Sequence, residues 1–381
     1  MKLIDIAYRT LVSELEQRAL DGAFSADFPP DGRFVRQVSK GRGYWYFERR
    51  NDEGVIKRRY VGPEADPEIT RRVQRFGDLK DDYRARRKLV VTLTRDAGLP
   101  KPDSFTGSVV QALAAAGLFR LRAVLVGTVA FQCYPVLLGV RFPRSAMLTA
   151  DTDFAQFHSV SAAVQDTVPP VLELLRAVDP SFEEVPHVAD ARYATKCRNR
   201  TNFQVEFLTP NVGSSSNEGS PARMPSLGGM RAQPLRFLDY LIYQPVRTVM
   251  LHGPGVSILI PAPERYCMHK LIVASRRRED ETGRAKRHKD GQQASMLARA
   301  LMVTHASSDL AIAFEEAWKR GPAWRAALRG GLAHMEPEDR LTVLGALRAG
   351  LEQIGAEADR YLADLDGGEG PRDGDVARPR I

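Results

Sequence analysis

Apolar positions along the chain change period several times, and each change predicts an element. Apolar residues three and four apart predict a helix over Leu3 to Leu20, followed by a Gly/Pro loop. Two strand-like runs then flank Asn51-Asp52-Glu53-Gly54, a hairpin signature. Residues 67–98 read as a helix rich in Arg and Lys, and Pro100 to Ser104 as a domain boundary. Phe105 to Ala116 is an apolar helix that stops at Gly117. The wholly apolar run Ala123 to Val126 reads as a short buried strand. Gly127 then allows a tight turn. A helix from Val129 to Leu138 follows, kinked or cut short at Pro135.

Further along, Pro169 to Val178 reads as a helix covering a sheet. Arg192 to Arg198 and Thr201 to Leu208 pair as antiparallel strands across a turn at Asn199-Arg200. Residues 209–232 are dominated by Gly, Ser, Pro and Asn and are expected to form a mobile loop, either a substrate lid or a tolerated insertion. A helix over Leu235 to Tyr243 and a second hairpin, Val246 to Leu251 with Val256 to Ile260, come next. Pro263 opens a helix over 264–278, and helices follow over 292–302, 309–319, 322–328 and 338–365. Residues 367–381 are Gly/Asp/Arg-rich and expected to be disordered. The fold class expected is α+β, a mixed sheet with flanking helices. The domains expected are 1–100, a core over 101–262 and a C-terminal helical domain over 263–366.

The pattern also places chemistry. Asp151 and Asp153 are one residue apart in a strand, so they share a face. Two adjacent carboxylates repel and call for a cation. Oxygen ligands without nearby His or Cys favour magnesium, with manganese as the alternative. Glu206 stands in a strand whose other face is Phe203, Val205 and Phe207, so it can supply a third carboxylate. Three carboxylates can hold two ions roughly 3.5–4 Å apart. Thr128 follows Gly127, and its hydroxyl with the backbone N–H groups there can hold phosphate oxygens.

The order of these pieces resembles the nucleotidyltransferase fold of the DNA polymerase beta superfamily. The matching residues are Val126-Gly127-Thr128, Asp151-Thr152-Asp153 and Val205-Glu206-Phe207. The chain looks most like an uncharacterised bacterial branch, distantly similar to toxin nucleotidyltransferases of abortive-infection systems. The resemblance spans roughly residues 105–300. Thr stands where Gly or Ser is usual, and an insertion is expected around Val136 to Ala146. The resemblance implies that Asp151, Asp153 and Glu206 are catalytic and bind metal. It implies that Gly127, Thr128 and Lys270 bind the nucleotide. The activity implied is transfer of NMP from an NTP to an acceptor hydroxyl, with release of pyrophosphate.

Composition narrows the partners. The 381 residues leave room for two or three domains. The net charge of +8 points to an anionic partner or to a generally basic, Arg-rich proteome. The first predicted hairpin interleaves Arg49, Arg50, Lys57 and Arg58 with Tyr44, Trp45, Tyr46 and Tyr60. Cations meet phosphates and rings stack on bases, so RNA or tRNA is the favoured acceptor. The other reading packs the rings on the next helix and leaves the arginines solvated. Between Lys270 and Lys289 stand eight Lys/Arg against three acids, with Arg277 and Lys289 as further phosphate candidates. Two other functions stay open: a nucleic-acid-binding protein that has lost catalysis, and the toxin of a toxin–antitoxin pair, whose partner would be an antitoxin protein. Three cysteines without a C-x-x-C pair fit reduced thiols and a cytoplasmic protein. The start lacks the apolar core of a signal peptide, and no apolar run suffices to span a membrane. No zinc motif and no P-loop motif occurs.

Overall fold

A computed structural model describes residues 1–22, 32–39, 42–50, 55–143, 151–163, 167–211 and 220–366. The chain begins with a short strand β1 (Lys2–Leu3) and helix α1 (Ile6–Gly22). Strands β2 (Arg33–Ser39), β3 (Arg42–Arg50) and β4 (Ile56–Pro63) precede helices α2 (Pro67–Arg95) and α3 (Ser104–Ala115). The segment with the carboxylates holds β5 (Val124–Val126), α4 (Gly127–Phe131), α5 (Tyr134–Leu138), β6 (Val140–Arg141) and β7 (Asp151–Ala155). Then come α6 (His158–Ala163), α7 (Val171–Arg176), β8 (Glu183–Pro186), β9 (Ala194–Arg198), β10 (Gln204–Pro210), β11 (Ala222–Arg223), β12 (Arg231–Leu235) and α8 (Leu238–Leu241). The hairpin β13 (Val246–Met250) and β14 (Val256–Ile260) leads to six helices. These are α9 (Pro263–Ser275), α10 (Glu281–Val303), α11 (Ser307–Lys319), α12 (Pro322–Ala333), α13 (Pro337–Gln353) and α14 (Ala358–Asp366). The class is α+β, as expected.

The chain divides into two compact units. One comprises Met1–Ile4, Ala116–Arg247 and Leu259–Ile381, and the other comprises Asp5–Ala115 and Thr248–Ile258. The larger unit is built on a seven-stranded mixed sheet in the order β11-β12-β10-β7-β5, with β9 paired to β10 and β8 to β9. β7 and β10 run parallel, with Asp153 opposite Glu206 and Phe154 opposite Phe207. Side chains alternate across a strand, so one face is apolar and the other carries the carboxylates. Phe154 and Phe207 stack at 5.8 Å, and both are almost fully buried, as is Val205.

In the smaller unit, β2-β3-β4 form an antiparallel sheet. Phe34, Phe47 and Phe76 meet edge to face, which packs one side of the sheet on α2. The Trp45 indole N–H donates to the Thr70 hydroxyl on the same helix.

Several expectations change. The chain from Arg33 forms a third strand, so the basic hairpin is part of a sheet, and its tip at 51–54 lies outside the described residues. The Glu206 strand pairs antiparallel with β9, as expected, but its contact with the D-x-D strand is parallel. The helix expected over 129–138 is two short helices that break at Gln132 and Cys133, and Pro135 sits in the first turn of the second, where its missing N–H costs nothing. The region 209–232 is not a loop throughout. β10 extends to Pro210, β12 adds to it in parallel, and Met224, Leu227 and Met230 are buried; residues 212–219 lie outside the described ones. Apolar residues spaced within a Gly/Pro-rich stretch supplied anchors that composition hid. The helix expected at 235–243 is only Leu238–Leu241, because Phe237 adopts a left-handed backbone. The last long helix breaks into two near Gly355, whose φ is +71°. The expected insertion is occupied by α5 and β6 up to residue 143, and its remainder and the C-terminal tail lie outside the described residues.

Candidate active site

The carboxylates come together through strand register. Asp153 faces Val126 across the antiparallel β5–β7 pair and Glu206 across the parallel β7–β10 pair. Register partners share a face, so Asp153 and Glu206 stand side by side. Asp151 holds the next position on that face, opposite Gln204; its side chain lies outside the description. Among the described residues no group of three or more His, Cys, Asp or Glu is placed to hold a metal ion.

Gly127 ends β5 against this row. Its φ is +69°, and a Cβ there would stand 2.7 Å from an Asp153 carboxylate oxygen. Both the left-handed backbone and the close approach demand glycine. The Tyr266 hydroxyl donates to the Gly127 carbonyl at 2.8 Å. Burial pushes that phenol up to about 12, partly offset by Lys270, so it stays a donor.

α9 forms the facing wall. Tyr266, His269, Lys270, Val273, Arg276 and Arg277 recur at helical spacing and line a cavity of about 480 Å³. The opposite wall is Val126, Gly127, Asp153, Leu208 and the chain from Gln233 to Leu238. The lining joins the charged Asp153, Lys270 and Arg277 with the apolar Pro234, Leu235, Leu238, Leu241, Ile272 and Val273, and Arg236 and Arg276 lie against the Phe237 ring.

Lys270 of α9 and Arg277, just past its end, are both held by Asp290 of α10. Lys270 Nζ is 2.7 Å from one carboxylate oxygen and Arg277 Nε 2.8 Å from the other. Asp290 is 2% exposed. Burial alone would raise its carboxyl, but Lys270 and Arg277 hold it below the usual range. Burial likewise pulls Lys270 down, and Tyr266 and Asp290 more than reverse that, leaving the ammonium firmly charged. Lys270 also sits 5.1 Å from the Tyr266 ring centre. His269 is driven down by burial first and by Lys270 second, which keeps the imidazole neutral at pH 7.

Of the residues singled out in the sequence, Gly127, Asp153, Lys270 and Arg277 line this cavity. Glu206 adjoins it through Asp153. Thr128 is half-buried in α4 and is not part of the cavity lining. Lys289 lies on α10 and does not line it either. The basic quartet belongs to the three-stranded sheet, and Arg49, Arg50 and Arg58 split between its faces. Arg49 is the register partner of Lys57, whereas Arg58 is that of Glu48 on the opposite face, and Arg50 shares the Glu48 side. Arg58 lies 5.8 Å from the Tyr46 ring centre and bonds Glu48. Sequence reasoning missed Asp290, His269, Arg276, Arg236 and Phe237. The three- and four-residue spacing along α9 was the signal for His269 and Arg276. Nothing in the spacing of Asp290 marked it out among the acids.

A family model for a nucleotidyltransferase matches residues 104–319, which contain both walls of the cavity. Comparison with curated proteins and with solved structures gives no match.

Proposed function

The chain belongs to the nucleotidyltransferase family and is a transferase enzyme, and from that premise we propose that it is a magnesium-dependent transferase that moves NMP from an NTP to an acceptor hydroxyl, releasing pyrophosphate. The observation that carries this reading is the register of Asp153 beside Glu206, walled by Gly127 and faced by the Lys270–Asp290–Arg277 cluster. The element order of strand, Gly-Thr, D-x-D strand and Glu strand supports a place in the polymerase beta superfamily.

Adjacent hard oxygen donors suit a magnesium or manganese ion, held by Asp153 and Glu206 with Asp151 as the third ligand. When bound, such ions lower the pKa of the acceptor hydroxyl and offset phosphate charge. Lys270 and Arg277 hold the triphosphate, and Gly127 lets a phosphate oxygen approach the backbone. The Asp290 anchor means both cations are oriented before substrate arrives, so little reorganisation accompanies the reaction. The Phe237 ring, with Leu238, Leu241, Ile272 and Val273 of the cavity lining, takes the base. In the step itself the acceptor oxygen bonds to the α-phosphorus as the bond to the pyrophosphate oxygen breaks. Glu206 accepts the hydroxyl proton. RNA is the favoured acceptor, on the strength of the basic sheet, where Arg58 and Tyr46 combine charge with a ring.

The test incubates the protein with each α-labelled NTP, magnesium, total cellular RNA and lysate protein. Label should enter RNA, and Asp153→Ala should abolish its transfer. Transfer that survives in Asp153→Ala would sink the carboxylate assignment.

A further inference from the structure

One line of register partners crosses the sheet: Val126, Asp153, Glu206 and Lys196. Its two flanks differ. The α9 cations stand over the Gly127 end of the carboxylates, already described. Lys196 of β9 stands on the other side of Glu206, directly opposite it across an antiparallel pair. Cross-strand partners of this kind have Cβ atoms about 4.5–5.5 Å apart. Lys196 is half-buried, and its ammonium has no ion-pair partner among the described residues. An ammonium that declines the adjacent carboxylate is available to a ligand.

Its surroundings fit a nucleic acid. The Arg231 guanidinium lies 3.3 Å from the ring centre of Tyr193 and donates to the Pro221 carbonyl. Nearby Asp190 is already occupied by Arg192 at 2.8 and 2.9 Å, so it offsets Arg231 only in part. On the same strand as Arg231, Gln233 is held by His187 Nε2 at 2.6 Å, while His187 Nδ1 accepts from the Ala189 N–H. Both bonds agree with a proton on Nε2, and they fix the Gln233 amide at the cavity edge. Lys196 on β9 and Arg231 and Gln233 on β12 thus stand on the two strands that pair with β10 beyond Glu206.

We propose that Lys196, with Arg231 stacked on Tyr193, forms the acceptor subsite and takes the 3′ end of an oligoribonucleotide, binding the phosphodiester next to the reacting hydroxyl. This rests on the transfer reading above. In-line displacement puts the acceptor opposite the leaving pyrophosphate. Lys270 and Arg277, the two cations assigned to the triphosphate, are both on the α9 flank, so the acceptor enters from the Lys196 flank. There the acceptor O–H loses its proton to Glu206, its oxygen bonds to the α-phosphorus, and pyrophosphate departs on the α9 side. Two cations on this flank repel a cationic acceptor and attract a phosphodiester.

The experiment measures binding of a short fluorescein-labelled single-stranded oligoribonucleotide by anisotropy, without NTP, over a range of salt. K196Q should weaken binding about tenfold and reduce the slope of log affinity against log salt by about 1. K196R should keep the slope. Tyr193→Ala should weaken binding about tenfold with the slope unchanged, because a lost ring removes stacking and no charge. In transfer assays K196Q should raise the KM for the oligonucleotide and leave NTP affinity within about twofold of the parent. An oligonucleotide affinity and slope that K196Q leaves unchanged overturns the subsite, as does label passing only to protein. If the native chain transfers no label from any NTP yet the Lys196-dependent slope is present, the transfer reading fails while the binding site stands. If transfer occurs and K196Q has the parental KM, the subsite fails and the transfer reading stands.

Discussion

Asp290 and Glu48 each hold two cations, in opposite surroundings. Asp290 joins Lys270 and Arg277 inside the larger unit, where the Asp290 side chain is 3% exposed and that of Lys270 12%. Glu48 joins Arg33 and Arg58 on the three-stranded sheet. Glu48 itself is covered, but the side chains of its partners are 65% and 50% exposed. The chemistry is the same and the dielectric is not. In the interior a charge must keep its partner, because desolvation is already spent and water cannot replace the lost carboxylate. At the surface water and salt replace it readily. The buried cluster therefore acts as a rigid support for cavity cations, while the surface cluster holds its arginines in competition with water and salt.

The sharpest break of that comparison is Asp290→Ala. It strands Lys270 and Arg277 without their anion, and the expected loss is about 3–5 kcal/mol in urea unfolding. NTP affinity should fall with it. Adding Lys270→Met to Asp290→Ala should recover part of the stability, since the uncompensated ammonium goes. A loss no larger than that of Glu48→Ala would end the distinction between the two clusters.

Acid titration sharpens it next. Asp290 has a depressed carboxyl, so its contribution is complete above the ordinary 3.8 and disappears as pH falls through its lower folded value. Lys270 has a raised pKa, so its contribution is complete below 10.5 and is lost as pH rises beyond its folded value. The cluster is accordingly steady across neutral pH. The neighbouring His269 behaves differently. Its folded pKa is depressed, so it stabilises above the ordinary 6.5 and its contribution is lost as pH drops below that value. Melting temperature should decline from pH 7 to pH 5, and the decline should be shallower in His269→Gln.

The smallest expected effect is Glu48→Ala. Arg58 first, and Arg33 second, hold the Glu48 carboxyl below its usual range, but the pairs are exposed. The melting temperature should move by no more than about 4 °C, and by less at high salt. Affinity for a single-stranded oligoribonucleotide should be unchanged or tighter, because two arginines lose a competing anion. Weaker binding would mean that Glu48 orients Arg58 over Tyr46 and does more than occupy it.

Much of the site was legible in the chain because it depends on short-range alternation. Asp153 and Glu206 were readable as one-faced strand carboxylates, since Phe154 and Phe207 mark the opposite face with a period of two. Gly127 was readable because a glycine after an apolar run leaves few alternatives to a turn. Lys270 came from the family resemblance and not from spacing, and the reason it stays oriented was not legible. That reason is Asp290, twenty positions later and one acid among many, and only the packing of α9 on α10 selects it. The segment 209–232 misled in the opposite direction. Its Gly, Ser and Pro content signals a loop, yet parallel pairing of β12 with β10 and the burial of Met224, Leu227 and Met230 override local propensity.

The sequence by itself determined the α+β class, the carboxylate-bearing strands and the glycine turn beside them. These follow from periods of two and 3.6 residues, which local backbone geometry imposes. Only the tertiary structure decided that Asp153 and Glu206 are register partners, that Lys270 and Arg277 share one buried anion, and that Arg49 and Arg58 lie on opposite faces of a sheet. Each of those depends on which strand or helix lies alongside. That choice is made by the burial of whole apolar faces, to which no single residue's spacing is a guide.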